Sequence, residues 1–164
     1  MARADAWRRP AAAAVIASVA LAASGSAHAA TPFSGLGGTW SGSGQFRLEN
    51  GRSEAIRCTA NYVPRSGGAT MGLSLRCASP SNRIELRASL SFYGGRVSGI
   101  WEERGFNVTG SVSGLASGGS LRLSFSGGIS GSMLVTTAGS SQSISVRTDG
   151  SALRGVNVGL RRSN

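Results

Sequence analysis

From Thr39 onward the large apolar residues fall on every second position, in short runs broken by glycine-rich dipeptides. Alternation of this kind is the signature of a half-buried β-strand. Over residues 39–48, Trp40, Gly42, Gly44, Phe46 and Leu48 share one face, and Thr39, Ser41, Ser43, Gln45 and Arg47 share the other. Asn50-Gly51 follows as a hairpin dipeptide, because both central turn residues are expected at positive φ. A turn with one extra residue, bulged at Gly51, keeps the apolar face intact by setting Phe46 opposite Ile56.

Two further hairpins have their register chosen by independent criteria. Ile56, Cys58, Ala60 and Tyr62 alternate, a Pro64–Gly68 turn intervenes, and Met71, Leu73, Leu75 and Cys77 alternate again. Setting Cys58 opposite Cys77 also sets Ala60 opposite Leu75 and Tyr62 opposite Leu73. A slip of one residue would undo both the sulfur pairing and the apolar face. Beyond it, Ile84, Leu86, Ala88, Leu90 and Phe92 run into Gly94-Gly95 and then Val97, Gly99 and Trp101. A two-residue turn pairs Phe92 with Val97 and Ala88 with Trp101. On the outer face the same turn pairs Arg87 with Glu102 and Glu85 with Arg104.

Weaker alternation continues to the C-terminus. Phe106, Val108, Gly110 and Val112 follow Arg104-Gly105; Leu121, Leu123 and Phe125 follow Gly118-Gly119; a short Met133–Val135 run comes next. Ile144 and Val146, then Val156, Val158 and Leu160, complete the series. The pattern predicts an all-β fold: one antiparallel up-and-down meander of eight to ten strands, closing into a small barrel, with a β-sandwich as the alternative. One face of nearly every strand is Arg, Ser, Thr, Asn or Gln. The apolar face therefore belongs inside, and an inverted, membrane-spanning barrel is not expected.

The first thirty residues read differently. Arg3, Arg8 and Arg9 precede the apolar run 11–22, and Ala27-His28-Ala29 supplies a small-residue cleavage pattern. This predicts a secretory signal over residues 1–30, a mature all-β domain over 31–164, and a periplasmic or secreted location. The apolar run is too short to span a bilayer, and no membrane span is expected in the mature chain. Two cysteines in an exported chain predict one disulfide, Cys58–Cys77.

Composition narrows the chemistry. All seventeen basic residues are arginine, and the formal net charge is +10. Beyond residue 30, fourteen arginines and six acidic residues leave about +8 by the same counting. The single histidine, His28, lies in the predicted signal, and there is no lysine. Imidazole and amine chemistry are thus absent from the predicted mature chain, with no catalytic residue, metal site or cofactor expected. Glu103 is the exception among acids with ready structural roles: the pairing turns it inward, beside Leu86 and Phe106 near the barrel end. There it is a candidate ligand contact or an acid of raised pKa, or else a strand-end carboxylate reaching Arg104 or water.

Gly38-Thr39-Trp40 opens the first strand, and Arg161-Arg162 closes the last. A G-x-W in strand one with a terminal-strand arginine over the indole resembles the calycin barrels: lipocalins, avidins and some bacterial protease inhibitors. The resemblance implies a closed barrel with a ligand-sized mouth. Trp40 on this reading is a ligand neighbour or a core plug at the barrel end.

The function expected from these observations is non-catalytic, a binding or structural barrel of the cell envelope. Trp40, Tyr62, Trp101 and Glu103 are the candidate contacts for a small apolar ligand. Arg57, Arg76, Arg87, Arg96 and Arg122 are the candidates for an anionic envelope component. A nucleic-acid partner is not expected, since the basic residues lack interleaved aromatics. The alternative is a protein–protein module such as a protease inhibitor, using its N-terminal segment Thr31 to Leu36.

Overall fold

The alternation is realised as ten antiparallel strands in the computed structural model, which describes residues 31–163. The predicted signal, with His28, lies outside the described residues. The strands are β1 (Gly38–Leu48), β2 (Ser53–Arg65), β3 (Thr70–Ala78), β4 (Arg83–Tyr93) and β5 (Arg96–Glu103). They continue as β6 (Val108–Ser117), β7 (Ser120–Gly127), β8 (Ser130–Ala138), β9 (Ser141–Asp149) and β10 (Leu153–Arg162). Each pairs with the next, and β1 pairs with β10, so the sheet closes on itself as a barrel and not a sandwich. Closure leaves no unpaired strand edge.

Both well-specified registers are as expected. Cys58 faces Cys77 and the two are joined by a disulfide, with Ala60 opposite Leu75 and Tyr62 opposite Leu73. Both sulfurs lie on the inner wall among buried residues. Closing a loop of 19 residues' separation is worth roughly 3 kcal/mol in the chain-entropy model. In the next hairpin Phe92 faces Val97, Ala88 faces Trp101, and Arg87 faces Glu102.

The first hairpin differs. The Gly51 amide donates to Leu48 O, and the Leu48 amide donates to Arg52 O, so the loop is Glu49-Asn50-Gly51. Only Gly51 has positive φ, at 80°. The extra residue falls before the dipeptide and not after it, which sets Phe46 opposite Glu54 and Ile56 opposite Gly44. The apolar face is preserved either way, because the two registers differ by two residues and strand faces repeat every two. Alternation alone could not separate them.

Two other expectations are corrected. Arg104 does stand opposite Glu85, its amide donating to Glu85 O at 2.9 Å, but the Glu85 carboxylate accepts from Arg76 on β3 at 3.1 Å, across the neighbouring ladder, and not from the Arg104 side chain. Phe106 does not begin a strand: it sits in the β5–β6 turn and is exposed, and β6 starts at Val108.

Inward glycines give the barrel its tight wall. A Cβ at Gly110 would lie 1.9 Å from Ser126 O and 2.7 Å from the Trp101 ring. The missing side chain is thus what lets the indole lie along the wall, where it meets Phe125 edge to face.

Candidate functional site: a lumen closed at one end

The two ends of the barrel are built differently. At the end carrying the β2–β3, β4–β5, β6–β7 and β8–β9 turns, the segment before β1 folds across the opening. Phe33 and Leu36 are buried in it, and Phe33 meets Phe92 edge to face. The Thr31 hydroxyl donates to Gly67 O at 2.6 Å, fastening the segment to the turn after β2. Thr31 to Leu36, expected as an arm for a protein partner, is therefore the floor of the barrel.

Trp40 completes this plug. It is fully buried, its indole N–H donates to Leu36 O at 2.8 Å, and Tyr62 packs edge-on against it. Arg162, opposite Trp40 in the ladder, lays its guanidinium 4.6 Å over the ring and donates to Gly37 O at 3.0 Å and to Gly35 O. The arrangement over the indole is the one the resemblance implies, with Arg162 in the role; Arg161 is exposed. Trp40 is the plug and does not line the lumen.

Above the plug a cavity of about 240 Å³ runs towards the opposite end. Its wall is apolar, with Leu73, Ala88, Trp101, Val112, Leu123 and Val158 around the middle. Tyr62, Trp101 and Glu103 all line it, so three of the four residues proposed for a ligand share one space. Towards the mouth, Leu75, Ile84, Leu86, Ile129, Leu153 and Val156 face inward and also line it, yet are only half-buried. Inward apolar groups left partly wet mark that end as open to solvent.

The mouth is held by polar clips. Glu103 is 6% exposed. One of its oxygens accepts from the Glu85 amide at 2.8 Å and the other from the Phe106 amide at 2.7 Å. Its carboxylate thus pins the β5–β6 turn to β4, and neither Arg104 nor a second carboxylate takes part. Glu54 does similar work on the β3–β4 turn. Its carboxyl accepts from Ser81 and Ser79, and those hydrogen bonds, Ser81 first, hold its pKa below the ordinary glutamate value. Thr148 and Ser151 both donate to Leu153 O where β10 begins.

At the floor of the lumen lies a polar pair of which only Tyr62 was expected. The Tyr62 hydroxyl donates to Gln142 Oε1 at 2.6 Å, and Gln142 Nε2 donates to Thr137 Oγ1 at 3.1 Å. Burial pushes the Tyr62 phenol up to about 12, against a smaller opposing effect of the Gln142 bond. Extending the Ile144–Val146 alternation back by two residues would have turned Gln142 inward.

The five arginines do not form one patch. Arg57 and Arg76, with Arg83, flank an outer groove on β2–β4 near the mouth, and Arg76 there is paired with Glu85. Arg87 faces Glu102 across the β4–β5 ladder. Arg96 and Arg122 lie towards the floor end, on either side of Leu115.

The chain is thus a closed ten-stranded antiparallel barrel, plugged at one end and apolar within, which is consistent with the calycin-like barrel that the resemblance implies. Among solved structures the chain is similar to Rv2717c from M. tuberculosis, at a TM-score of 0.62 and 15% identity, over 81% of this chain and 94% of that one. It is also similar to the S-type phycobiliprotein lyase CPES from Guillardia theta, at 0.60 and 9% identity, over 80% and 90%. Likeness at these identities is one of fold. No family model and no curated protein matches the chain.

The second likeness corrects the expectation that the protein is not an enzyme. A phycobiliprotein lyase shares this fold, so the lack of histidine and lysine after residue 30 does not exclude chemistry.

Proposed function

We propose that the protein binds a small apolar ligand in the lumen, admitted through the mouth and stopped by the Phe33–Leu36–Trp40 floor. The observation that carries this reading is the half-buried apolar wall at one end of a barrel whose other end is sealed. Covering that wall with a ligand removes apolar surface from water at about 25 cal/mol per Å². A sealed floor with an open mouth is the geometry of a container, and the likeness to a lipocalin-like fold supports the same reading.

The test is titration with N-phenyl-1-naphthylamine, a neutral apolar fluorophore. Saturable binding should persist between about 0.01 M and 1 M ionic strength, which shortens the Debye length from ~30 Å to ~3 Å. It should be lost in Ala88→Phe, which fills the space beside Trp101. Binding that disappears with salt, or that survives the filled lumen, would point to the arginine surface and remove this reading.

We also infer that the protein acts after export. The support is the basic start, the apolar run and the Ala27-His28-Ala29 pattern, together with the Cys58–Cys77 disulfide. Mass analysis of the protein from its native host should give an N-terminus at Ala30 or Thr31; a chain still beginning at Met1 would exclude it.

A further inference from the structure

We propose that the lumen prefers an amphiphile over a plain hydrocarbon, seating an uncharged hydroxyl or carbonyl head on Gln142 and Tyr62 with its tail towards the mouth. This rests on the lumen-binding reading above and adds the ligand's chemical class and orientation.

The starting point is a polar side chain where the fold needs none. Gln142 is 3% exposed and projects inward from β9, opposite Leu160. The next inward positions on that strand are Ile144 and Val146. A buried amide costs about 1–3 kcal/mol when its hydrogen bonds are not made, whereas an apolar side chain of similar size carries no such cost. No described buried side-chain N or O atom is wholly without a partner. The pair nevertheless has capacity left over.

The amide has two N–H donors and an oxygen with two lone pairs. One donor goes to Thr137 and one lone pair accepts from Tyr62. The described hydrogen bonds leave the second N–H, the second Oε1 lone pair and the acceptor side of Tyr62 Oη unused. Both residues line the cavity, and Tyr62 packs against the Trp40 plug, so the pair lies at its inner end. A carbonyl can accept the free N–H, and a hydroxyl can both accept it and donate to oxygen.

The site selects against charge. Among the described residues lining the cavity, none at its floor is ionised to pair with a charged head. The guanidinium of Arg162 belongs to the plug, bonded to Gly35 O and Gly37 O over the Trp40 ring. Burial already disfavours the anionic form of Tyr62, and the same desolvation would act on a carboxylate head. Glu103 lies at the mouth, where each of its oxygens accepts one backbone N–H.

The experiment measures displacement of N-phenyl-1-naphthylamine by 1-octanol, octane and octanoate from the wild-type protein, Gln142→Met and Tyr62→Phe. Loss of one hydrogen bond corresponds to about a 5- to 10-fold weaker affinity. Octanol should weaken by that factor in Gln142→Met and by less in Tyr62→Phe, where Oε1 remains to accept. Octane should change by less than about twofold in both, as expected where no hydrogen bond is at stake. Circular dichroism checks that each variant keeps the barrel, and Tyr62→Phe, the smaller change, carries the test if Gln142→Met does not fold. Equal changes for octanol and octane, no change for either, octanol failing to displace the fluorophore, or octanoate binding more tightly than octanol would each overturn the head anchor while leaving the lumen reading intact. Absence of any fluorophore binding would overturn both.

Discussion

The floor and the mouth of this barrel are made from one alternating pattern and solve opposite problems. At the floor, Phe33, Leu36 and Trp40 fill the opening, and the polar atoms nearby serve the plug: the indole N–H reaches Leu36 O and Arg162 caps the ring. At the mouth several inward residues, Leu75, Ile84, Leu86, Ile129, Leu153 and Val156, remain half-wet, and carboxylates and hydroxyls hold the turns. The charges divide in the same way. All six acidic residues after residue 30 lie on the mouth half, whereas the ladder partners of Arg65, Arg96, Arg122 and Arg161 at the other end are uncharged. Apolar packing seals; hydrogen-bonded clips keep turns in position without filling the space between them.

If this division is right, stability should come mainly from the floor. Trp40→Ala removes a fully buried indole, its hydrogen bond and the cation–π contact, and should cost about 3–5 kcal/mol in urea unfolding. A loss no greater than that of an exposed position would break the comparison. Reaching the same result by cutting at the mouth should not occur.

The next largest effect is a pH dependence at the floor. The Tyr62 phenol titrates at about 12 in the folded protein against ~10 in an unfolded chain. The neutral form is therefore favoured by folding. The stabilisation is fully present below pH ~10 and lost as the pH rises towards ~12, a change on the order of 2–3 kcal/mol. Tyr62→Phe should abolish that component of the alkaline destabilisation, seen as the difference between the two proteins' pH–stability curves. Parallel curves for the two proteins would show that the phenol is not buried as described.

The smallest effect belongs to the mouth. Glu103→Gln keeps one acceptor but turns an N–H towards a backbone N–H, costing about 1–2 kcal/mol. Its distinguishing sign is local: the Phe106 amide should lose hydrogen-exchange protection while amides of β1 and β10 keep theirs. Uniform loss across the barrel would place Glu103 in the global core and not in a clip.

Much of this was legible in the residues, for reasons that differ from place to place. The Cys58–Cys77 and Ala88–Trp101 registers could be read because two requirements converged on each: sulfurs with apolar faces, and opposite charges with apolar faces. The first hairpin had only one requirement, and a register shifted by two residues meets it equally well. Trp101, Tyr62 and Glu103 could be placed inward from phase alone. Their common cavity could not, since whether an inward side chain meets a neighbour or a space depends on strands far away in the chain. Phe33 and Leu36 precede the first strand and carry no period, so nothing local marked them as a floor. Gln142 was in phase but lay beyond the stretch where the alternation was strong.

What the sequence determined by itself is which face of each strand turns inward, because side chains alternate strictly along an extended backbone and water sorts them. The tertiary structure alone decided that the cylinder is stopped at one end and open at the other. That outcome depends on the fit of a non-repeating segment and one indole against nine other strands, and such a fit is a property of volumes in space and not of order along the chain.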